Sequence, residues 1–430
     1  MIGNEIHQFA KELWPINRSI TGKGVRETLQ KISLHLPKLD IKSVPSGTQV
    51  FDWTVPKEWT VNKAYIITPS GKKICDFSKN NLHLLGYSVP FEGSISLDEL
   101  KKHLYTLPDQ PNAIPYVTSY YLERWGFCLT QKEFEVLENG TYKVVIDSRL
   151  FDGELNYGEL FIKGKNNKEI FLSTYLCHPS MANNELSGPT VLTFLTKWLL
   201  ETDLHEYSYR IIFIPETIGS ITYLSRNYKD MKSKTIAGFN ITCVGDDRAY
   251  SYLPSRNGNT ISDSIAKHVL KWTDKNFVQY SWLDRGSDER QYCAPGIDLP
   301  VASILRTLYG KYPEYHTSLD DLENVVTPQG LNGGYWVIRK AIEAIEKNKK
   351  YKVSVMCEPQ MGKRGLYPTL STKKSNDEVT LMMNFISLCD GNNSLLEIAE
   401  SLNVAIWDLY DIIHKLENHN LISANEGTNY

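Results

Sequence analysis

Residues 169–178, EIFLSTYLCH, decide the fold of this chain. The run is largely apolar on both alternating faces, which is typical of a strand buried on both sides in a parallel sheet. Outward from it, helical patterns lie at 188–201, 219–227 and 260–273, and strand patterns at 209–214, 236–244 and 300–305. Strands that alternate with helices over such a length predict a three-layer α/β domain.

The chain has 430 residues, more than one hydrophobic core usually accommodates, so we expect several domains. Short β-rich pieces broken by proline and glycine at 44–107 predict a small β-domain inserted into the α/β domain, which then comprises residues 1–43 and 108–347. A stretch rich in Lys, Gly, Pro and Ser at 348–375 predicts a linker. Three short helical patterns followed by a strand pattern predict a winged helix-turn-helix over 376–430.

Composition excludes several classes of protein. Lys and Arg total 47 against 50 Asp and Glu, so no general attraction to nucleic acid or an anionic membrane is expected. The seven cysteines are odd in number and include no C-x-x-C pair, which argues against a disulfide framework and against a cysteine-ligated zinc site. The chain has no long apolar run and no signal-peptide pattern at Met1–Trp14, so we expect a cytoplasmic protein without membrane contact.

Polar residues follow the predicted strands at the sheet edge where α/β proteins form their ligand sites. His178 follows strand 169–176, Glu216 follows strand 209–214, and His316 lies in a loop before the last helix of the domain. Alone, each has an ordinary explanation: a packed histidine, a helix-capping carboxylate, a loop residue. Together they supply the imidazole and carboxylate ligands that zinc prefers, with one position left for water.

These residues resemble the zinc exopeptidase superfamily that contains bacterial leucyl aminopeptidases and glutaminyl cyclases. The whole arrangement resembles a bacterial family of aminopeptidase-like proteins associated with polysaccharide-biosynthesis loci. The resemblance implies a three-layer zinc exopeptidase domain that carries a peptidase-like site. Its markers occur in the family's order: His178, the loop Ala182–Gly188, Glu216 to Ser220, Ser287-Asp288, and Tyr315-His316-Thr317.

The chain departs from the dinuclear members of that superfamily. Asn184 stands where an aspartate bridges two metals, and a neutral amide is a poor bridge. The usual pair of glutamates appears as Pro215-Glu216, so one carboxylate is missing. We therefore favour one zinc ion, with two as the alternative, held by His178, His316 and a carboxylate from Glu185 or Glu216.

Under this interpretation Glu216 and Glu185 are the catalytic candidates, because the carboxylate that does not bind zinc accepts a proton from water. Asp246, which follows the third strand, is a further metal-ligand candidate. Three arginines in predicted strand-end or loop segments could clamp a substrate carboxylate: Arg248, Arg256 and Arg285. The expected substrate is a peptide or an amidated small molecule.

The predicted recognition helix of the winged helix, residues 405–418, carries Asp408, Asp411 and Glu417 against Lys415 and His414. DNA-binding winged helices usually have basic recognition helices, so we favour protein contact or homo-oligomerisation over DNA binding. Two alternatives to an amide hydrolase stay open. One is a catalytically inactive aminopeptidase fold kept as a binding module, and the other is a DNA-binding regulator that senses a small molecule.

Overall fold

The structure is a computed structural model that describes residues 1–202, 205–366 and 373–424, without the side chains of 373–376. The chain divides into two compact units. The first comprises Met1–Ser262 and Phe277–Trp336, and the second comprises Asp263–Asn276 and the chain from Val337 onward. In the described residues, no helix is long and apolar enough to cross a membrane.

The α-helices of the described residues alternate with short strands over much of the chain. They are α1 (Ile2–Leu13), α2 (Lys23–His35), α3 (Leu97–Lys101), α4 (Gln131–Glu135), α5 (Ser187–Glu201), α6 (Ile218–Lys234), α7 (Ile261–Thr273), α8 (Glu289–Tyr292), α9 (Pro328–Lys347), α10 (Lys373–Leu388), α11 (Leu395–Leu402) and α12 (Tyr410–Asn418).

The strands fall into one large sheet and several small ones. They are β1 (Asp40–Pro45), β2 (Gln49–Val50), β3 (Trp53–Thr54), β4 (Glu58–Ile67), β5 (Lys73–Ile74), β6 (Phe91–Ser96), β7 (Leu104–Tyr105), β8 (Phe127–Cys128), β9 (Thr141–Phe151), β10 (Glu154–Ile162), β11 (Glu169–Tyr175), β12 (Ser208–Ile214), β13 (Thr235–Asn240), β14 (Ser251–Leu253), β15 (Val278–Gln279), β16 (Val301–Leu305), β17 (Lys350–Val353), β18 (Asp390–Ser394) and β19 (Ile422–Ala424).

The large sheet of the first unit has the strand order β1-β10-β12-β11-β13-β16-β14-β15, and its centre, β12-β11-β13-β16, is parallel. Every residue of β11 and of β12 is buried, as the apolar run at 169–178 predicts. The two charged groups of these strands form a bidentate pair, in which Arg210 donates to both carboxylate oxygens of Glu169 at 2.7 and 3.0 Å. Parallel central strands therefore direct their carboxyl ends to one common edge.

Helix α5 begins directly over this edge. A Cβ on Gly188 would lie 2.4 Å from the carbonyl oxygen of Ile241, so only glycine allows the helix to start this close to the sheet. Helices α1 and α2 pack against α5. The Ser187-Gly188 pair thus places the preceding loop at the strand ends.

The β-rich insertion is longer than the predicted 44–107. Its four-stranded sheet has the order β5-β4-β9-β6, and β9 reaches residue 151. At its other end, β1 pairs with β10 of the large sheet. The prediction placed Thr141–Phe151 in the α/β domain. The alternating pattern of this strand suits either sheet, and its pairing with β4 and β6 shows that it belongs to the four-stranded sheet.

The second unit contains a three-stranded antiparallel sheet, β18-β17-β19, with α10, α11 and α12. Residues 350–353, predicted to lie in a linker, are the central strand of that sheet. The ring of Trp407 lies 4.2 Å from Lys340 Nζ, and the ring of Tyr410 lies 4.0 Å from Lys347 Nζ. These aromatic side chains of the predicted recognition helix are thus packed on lysines of α9.

Candidate metal centre

The candidate centre lies at the carboxyl edge of the central strands. His178 follows β11, Glu216 follows β12, and His316 enters from the loop before α9. One turn of π-helix, Ala182–Leu186, connects β11 to α5 and is buried throughout. The structure therefore brings the predicted histidines and glutamates to one place.

His178 is 5% exposed, and its two ring nitrogens have different surroundings. Nδ1 lies 3.0 Å from Oε2 of Glu185, and Nε2 lies 3.8 Å from Oε2 of Glu216. Burial, reinforced by the charge of Arg18, lowers the pKa of His178 to about 3. Its imidazole is consequently neutral, with the proton on Nδ1 where a carboxylate can accept it, and with the lone pair of Nε2 facing Glu216.

Arg18, from the loop between α1 and α2, fixes this arrangement from behind. Its Nε donates to the carbonyl oxygen of His178 at 3.2 Å and lies 3.4 Å from Oε1 of Glu185, and its Nη1 donates to the carbonyl oxygen of Leu13 at 2.8 Å. The side chains of Arg18 and Glu185 are both fully buried. Burial raises the pKa of Glu185, and the charge of Arg18 opposes that rise. Because a guanidinium keeps its proton, Glu185 balances the buried positive charge of Arg18 only when Glu185 is ionised.

His316 completes the pair of imidazoles, with its ring centre 5.4 Å from that of His178. It adopts a left-handed backbone conformation, φ +56°, which costs energy for a residue with a Cβ. The backbone N–H of Tyr116 donates to the His316 carbonyl at 2.9 Å, and the Tyr116 ring lies 5.1 Å from both histidine rings. Burial, with a contribution from His178, lowers the pKa of His316 to about 3, so this imidazole is neutral too.

Glu216 faces a second carboxyl group, Asp288, of the Ser287-Asp288 marker. Oδ1 of Asp288 accepts hydrogen bonds from the backbone of Thr217 at 2.7 Å and from the hydroxyl of Ser220 at 2.8 Å. Burial raises the pKa of Glu216, and the charge of Asp288 raises it further, while Arg290 opposes the rise. Burial and the neighbouring charge of Asp288 therefore favour the protonated form of Glu216.

Asp246, predicted as a metal ligand, is a structural brace instead. Its Oδ2 accepts from the side-chain amide of Asn183 at 2.8 Å and the backbone N–H of Thr307 at 3.0 Å. Its Oδ1 accepts from the hydroxyl of Thr307 and the backbone N–H of Arg248, both at 2.8 Å. Four donors saturate the carboxylate, so it has no lone pair directed at the histidines.

The three arginines proposed for substrate binding have protein partners elsewhere. Arg248 forms a bidentate pair with Glu314, Arg256 pairs with Asp298, and the Arg285 guanidinium lies 4.9 Å from the centre of the Trp282 ring. The cation that acts on Glu216 is Arg290, which donates to the hydroxyl of Thr217 at 3.0 Å. Sequence analysis missed Arg290, although it lies two residues after the Asp288 marker.

A second residue that sequence analysis passed over is Asp320, four positions after His316. Its carboxylate accepts the backbone N–H groups of Asn183 and Asn184 at 2.7 and 3.0 Å, together with the hydroxyl of Tyr312 at 3.0 Å. It thereby holds the π-helical turn that carries Glu185. The buried N–H groups at the start of a turn need an acceptor, and only the tertiary structure identifies which carboxylate supplies it.

In the described residues one group of donor atoms lies close enough together to hold a metal, and a second set has the residue types that zinc prefers. Cys177, His178 and Glu185 bring three ligand atoms within 4.8 Å of one another. Cys177 and Glu185 both contact the same nitrogen of His178, Nδ1. Burial also raises the pKa of the Cys177 thiol well above its ordinary value. A cation there would also face Arg18, so this set does not suit zinc.

The other set consists of Nε2 of His178, His316 and Glu216. Two neutral imidazoles and one carboxylate are the protein ligands of many zinc hydrolases, and they leave one position for water. The carboxylate on Nδ1 is the outer contact that zinc-binding histidines usually make. Nε2 of His178 lies 3.8 Å from Oε2 of Glu216 and the two imidazole ring centres lie 5.4 Å apart, so this set has the residue types that zinc prefers, while its donor atoms lie farther apart than those of the first set.

Known proteins match both parts of the chain. A family model described as a domain of unknown function (DUF4910) matches residues 7–348, and a winged helix-turn-helix model matches residues 349–424. A Clostridium acetobutylicum protein, named for polysaccharide biosynthesis and an aminopeptidase-like domain, is 46% identical over 400 residues, which cover 92% of this chain and 91% of that protein.

Solved structures agree. A crystal structure from the same bacterium, named as a peptidase, has a TM-score of 0.92 at 43% identity and covers 99% of this chain and 97% of its own. A zinc aminopeptidase of Bacillus subtilis has a TM-score of 0.59 at 12% identity, covering 81% of this chain and 96% of that one. The predicted aminopeptidase-like α/β fold and the C-terminal winged helix are confirmed.

Proposed function

Since the chain belongs to the DUF4910 family and has the fold of the zinc aminopeptidases, we propose that it is a zinc-dependent exopeptidase or a related amide hydrolase. The observation that carries this proposal is the pair of neutral imidazoles, His178 and His316, beside Glu216. These three residues would hold one zinc ion. Zinc bound there supplies a Lewis acid that polarises an amide carbonyl and makes water more acidic.

The residues around the three ligands have distinct roles in this proposal. Glu185 accepts the Nδ1 proton of His178 and so keeps Nε2 free, which makes it a positioning residue and not a ligand or a base. Arg18 holds Glu185 and the His178 carbonyl together. Asp288, whose charge raises the pKa of Glu216, is not one of the three ligands, and it accepts the proton of the attacking water and returns it to the leaving amine.

Tyr116 closes the site beside the histidines. Its hydroxyl shares a 2.6 Å hydrogen bond with the hydroxyl of Tyr120, and burial raises the pKa of both phenols well above the ordinary value. Both stay protonated at neutral pH; one hydroxyl donates to the other, and the second O–H is left to donate to a substrate oxygen. The substrate class is an amide, either of a peptide or of an amidated sugar, and the name of the Clostridium relative supports the second.

The test is amide hydrolysis by the full-length protein, screened on aminoacyl amides, dipeptides and N-acyl amino sugars, with zinc present and after chelation. We expect activity that chelation abolishes and zinc restores, and at least about 10³-fold less activity in His316→Ala. His414→Ala is the control, because His414 is exposed on α12 and shares a hydrogen bond with Asn418 on the same helix. Hydrolysis that survives chelation, or equal losses in the two variants, would refute the proposal.

For the winged helix we propose protein contact and not DNA binding. Trp407 and Tyr410 are engaged by Lys340 and Lys347, so these two lysines of α9 already have aromatic partners. We expect no binding to duplex DNA at about 50 mM salt, where phosphate contacts are strongest. Salt-dependent retention of a mixed-sequence duplex in a gel-shift assay would contradict this.

A further inference from the structure

An open cavity lies between the β2–β3 hairpin, helix α6 and the segment that follows α8. Its volume is about 410 Å³, which is within the range of small-molecule sites. None of His178, His316 and Glu216 lines it, so it stands apart from the candidate metal centre. We call it the hairpin pocket, after the residues that the hairpin contributes to it, Phe51, Asp52 and Trp53.

The wall of the hairpin pocket is mostly apolar. Ile221 and Leu224 of α6 are 5% and 2% exposed and belong to the hydrophobic core, so this part of the wall is held in place by packing. Phe51, Trp53 and Tyr228 add three aromatic rings. The centres of the Phe51 and Tyr228 rings lie 5.8 Å apart, in an edge-to-face arrangement.

The hairpin keeps Phe51 in a conformation that is unfavourable in two respects. Phe51 and Asp52 form the two-residue loop between β2 and β3, and Phe51 has a φ of +53°. Glycine or asparagine is usual where a hairpin loop requires a positive φ, because a Cβ makes that conformation costly. Phe51 is also 50% exposed, and Trp53 is 37% exposed. Backbone strain combined with exposed aromatic rings indicates a binding role for the hairpin loop.

Contacts within and around the hairpin order its aromatic rings before any ligand binds. Nε2 of Gln49 donates to the carbonyl oxygen of Phe51 at 2.8 Å, and the hydroxyl of Thr54 donates to Oε1 of Gln49 at 3.1 Å. The Trp53 ring makes an edge contact with the Tyr121 ring at 5.5 Å. A ligand that enters the pocket therefore has little side-chain ordering to drive.

The charge of the lining is negative. Asp52 is the one carboxylate among the lining residues, which include no Lys, Arg or His. In the described part of the chain, no ion pair engages Asp52. Lys232 lies near the pocket, but its Nζ already donates to the carbonyl oxygen of Gly296 at 2.8 Å and to Asp298 at 3.5 Å. The charge that complements the hairpin pocket is therefore positive.

These groups together select one class of ligand. An ammonium that carries methyl groups is attracted by the aromatic faces and by Asp52, while its methyl groups pack on the apolar wall. A neutral apolar molecule would leave Asp52 without a counter-charge, and an anion would be repelled by it. A small inorganic cation would lose its hydration against the apolar wall.

We propose that the hairpin pocket binds an alkylated ammonium group, such as that of choline or of a trimethylated lysine. The proposal does not depend on the proposed hydrolysis, because the pocket shares no lining residue with the three candidate zinc ligands.

The test is isothermal titration calorimetry of the full-length protein with choline and with 3,3-dimethylbutanol, which has carbon in place of the charged nitrogen. We expect choline to bind about tenfold more tightly than the neutral analogue. Nα-acetyl-trimethyllysine amide is titrated as a second cation. Tighter binding of this cation points to a methylated protein as the source, and tighter binding of choline points to a free small molecule.

Equal affinities for choline and 3,3-dimethylbutanol, or no binding of either cation, would overturn the proposal. Sedimentation analysis covers a different occupant of the pocket. A dimer that Trp53→Leu dissociates would also overturn the proposal, because a second copy of the chain would then fill the pocket.

Two variants assign the binding to the hairpin. Asp52→Asn should weaken choline binding about threefold and leave the binding of 3,3-dimethylbutanol unchanged, since it removes only the charge. Asp109→Asn is the matched control, because Asp109 is also an exposed aspartate and lies outside the lining. Trp53→Leu should weaken choline binding about fivefold. Choline affinity equal to that of the wild type in both hairpin variants would contradict the proposal.

Phe51→Gly separates a binding role from a structural one. Glycine adopts a positive φ without strain, so this variant should bind choline less tightly with no loss of stability to urea. A loss of stability with unchanged choline affinity would contradict the proposal.

Discussion

Two buried histidines, one in each compact unit, have the same contact on one nitrogen and different surroundings on the other. His178 in the first unit places Nδ1 against Glu185, and His268 in the second places Nδ1 against Glu400. Nε2 of His268 accepts the backbone N–H of Ile406 at 2.9 Å. In His268, both nitrogens are therefore used by the protein.

In the described part of the chain, no backbone N–H donates to Nε2 of His178. Oε2 of Glu216 lies 3.8 Å from this nitrogen, which is beyond hydrogen-bonding distance. Burial and a carboxylate partner on Nδ1 therefore do not distinguish a structural histidine from a metal ligand. The surroundings of Nε2 distinguish them, because a metal ligand needs a lone pair to which no backbone N–H donates.

The largest expected effect is a difference between the alanine variants of the two histidines. We expect His178→Ala to lower zinc affinity by about 10³-fold and to abolish hydrolysis, since it removes a ligand. His268→Ala should keep zinc and activity and lose stability, because it leaves the Ile406 N–H unpaired. Zinc titration and urea unfolding of both variants check this, and loss of zinc in His268→Ala would contradict it.

The second prediction concerns the carboxylate on Nδ1. Glu185→Gln leaves Arg18 buried without a counter-charge, so the free energy of unfolding should fall by about 3 kcal/mol. Zinc affinity should fall about 10- to 100-fold, as for other outer contacts of zinc-binding histidines. Glu400→Gln on the partly exposed partner of His268 is the control, and it should leave zinc affinity untouched.

A third prediction separates the stability of the buried ion pair from its positioning role. Arg18→Met alone should destabilise the protein by about 3 kcal/mol, because it leaves Glu185 uncompensated. The double variant Arg18→Met, Glu185→Met removes both charges, so most of that stability should return while zinc affinity stays low. If zinc affinity recovered together with stability, Glu185 would have no positioning role.

The smallest expected effect is a pH dependence that comes from His268. Burial lowers its pKa below 6.5, so the unfolded state binds a proton at a higher pH than the folded state does. The stability that neutral His268 contributes is therefore present above about pH 6.5 and is lost as the pH falls toward its folded pKa. We expect the free energy of unfolding to fall by about 1 kcal/mol between pH 7.5 and 5.5, because protonated His268 cannot accept the Ile406 N–H. His268→Leu should not show this loss. Urea unfolding curves with the same pH dependence in the two proteins would exclude the effect.

Much of the fold follows from sequence because its signals are local. The run at 169–178 requires a buried strand, and the alternation of strands and helices around it requires an α/β sheet. The sequence does not specify which sheet contains Thr141–Phe151 or Lys350–Val353, because each strand's partners lie far away in the chain. Pairing between distant strands leaves no mark in either segment alone.

The candidate site divides in the same way. His178, Glu216 and His316 follow from their places after strands and before the last helix, since strand ends converge in parallel sheets. Glu185 and Glu216 looked equivalent in the sequence, and only the buried Arg18, 167 positions before Glu185, tells them apart. Asp246 likewise gives no local sign that four donors saturate it.

The central claim is that zinc lies on the Nε2 side of His178, and anomalous scattering at the zinc edge from crystals of the full-length protein tests it most directly. We expect one peak per chain, within bonding distance of Nε2 of His178, His316 and Glu216. A peak on the other side, among Cys177, Nδ1 of His178 and Glu185, would contradict it. So would crystals grown from zinc-saturated protein that give no peak at either place.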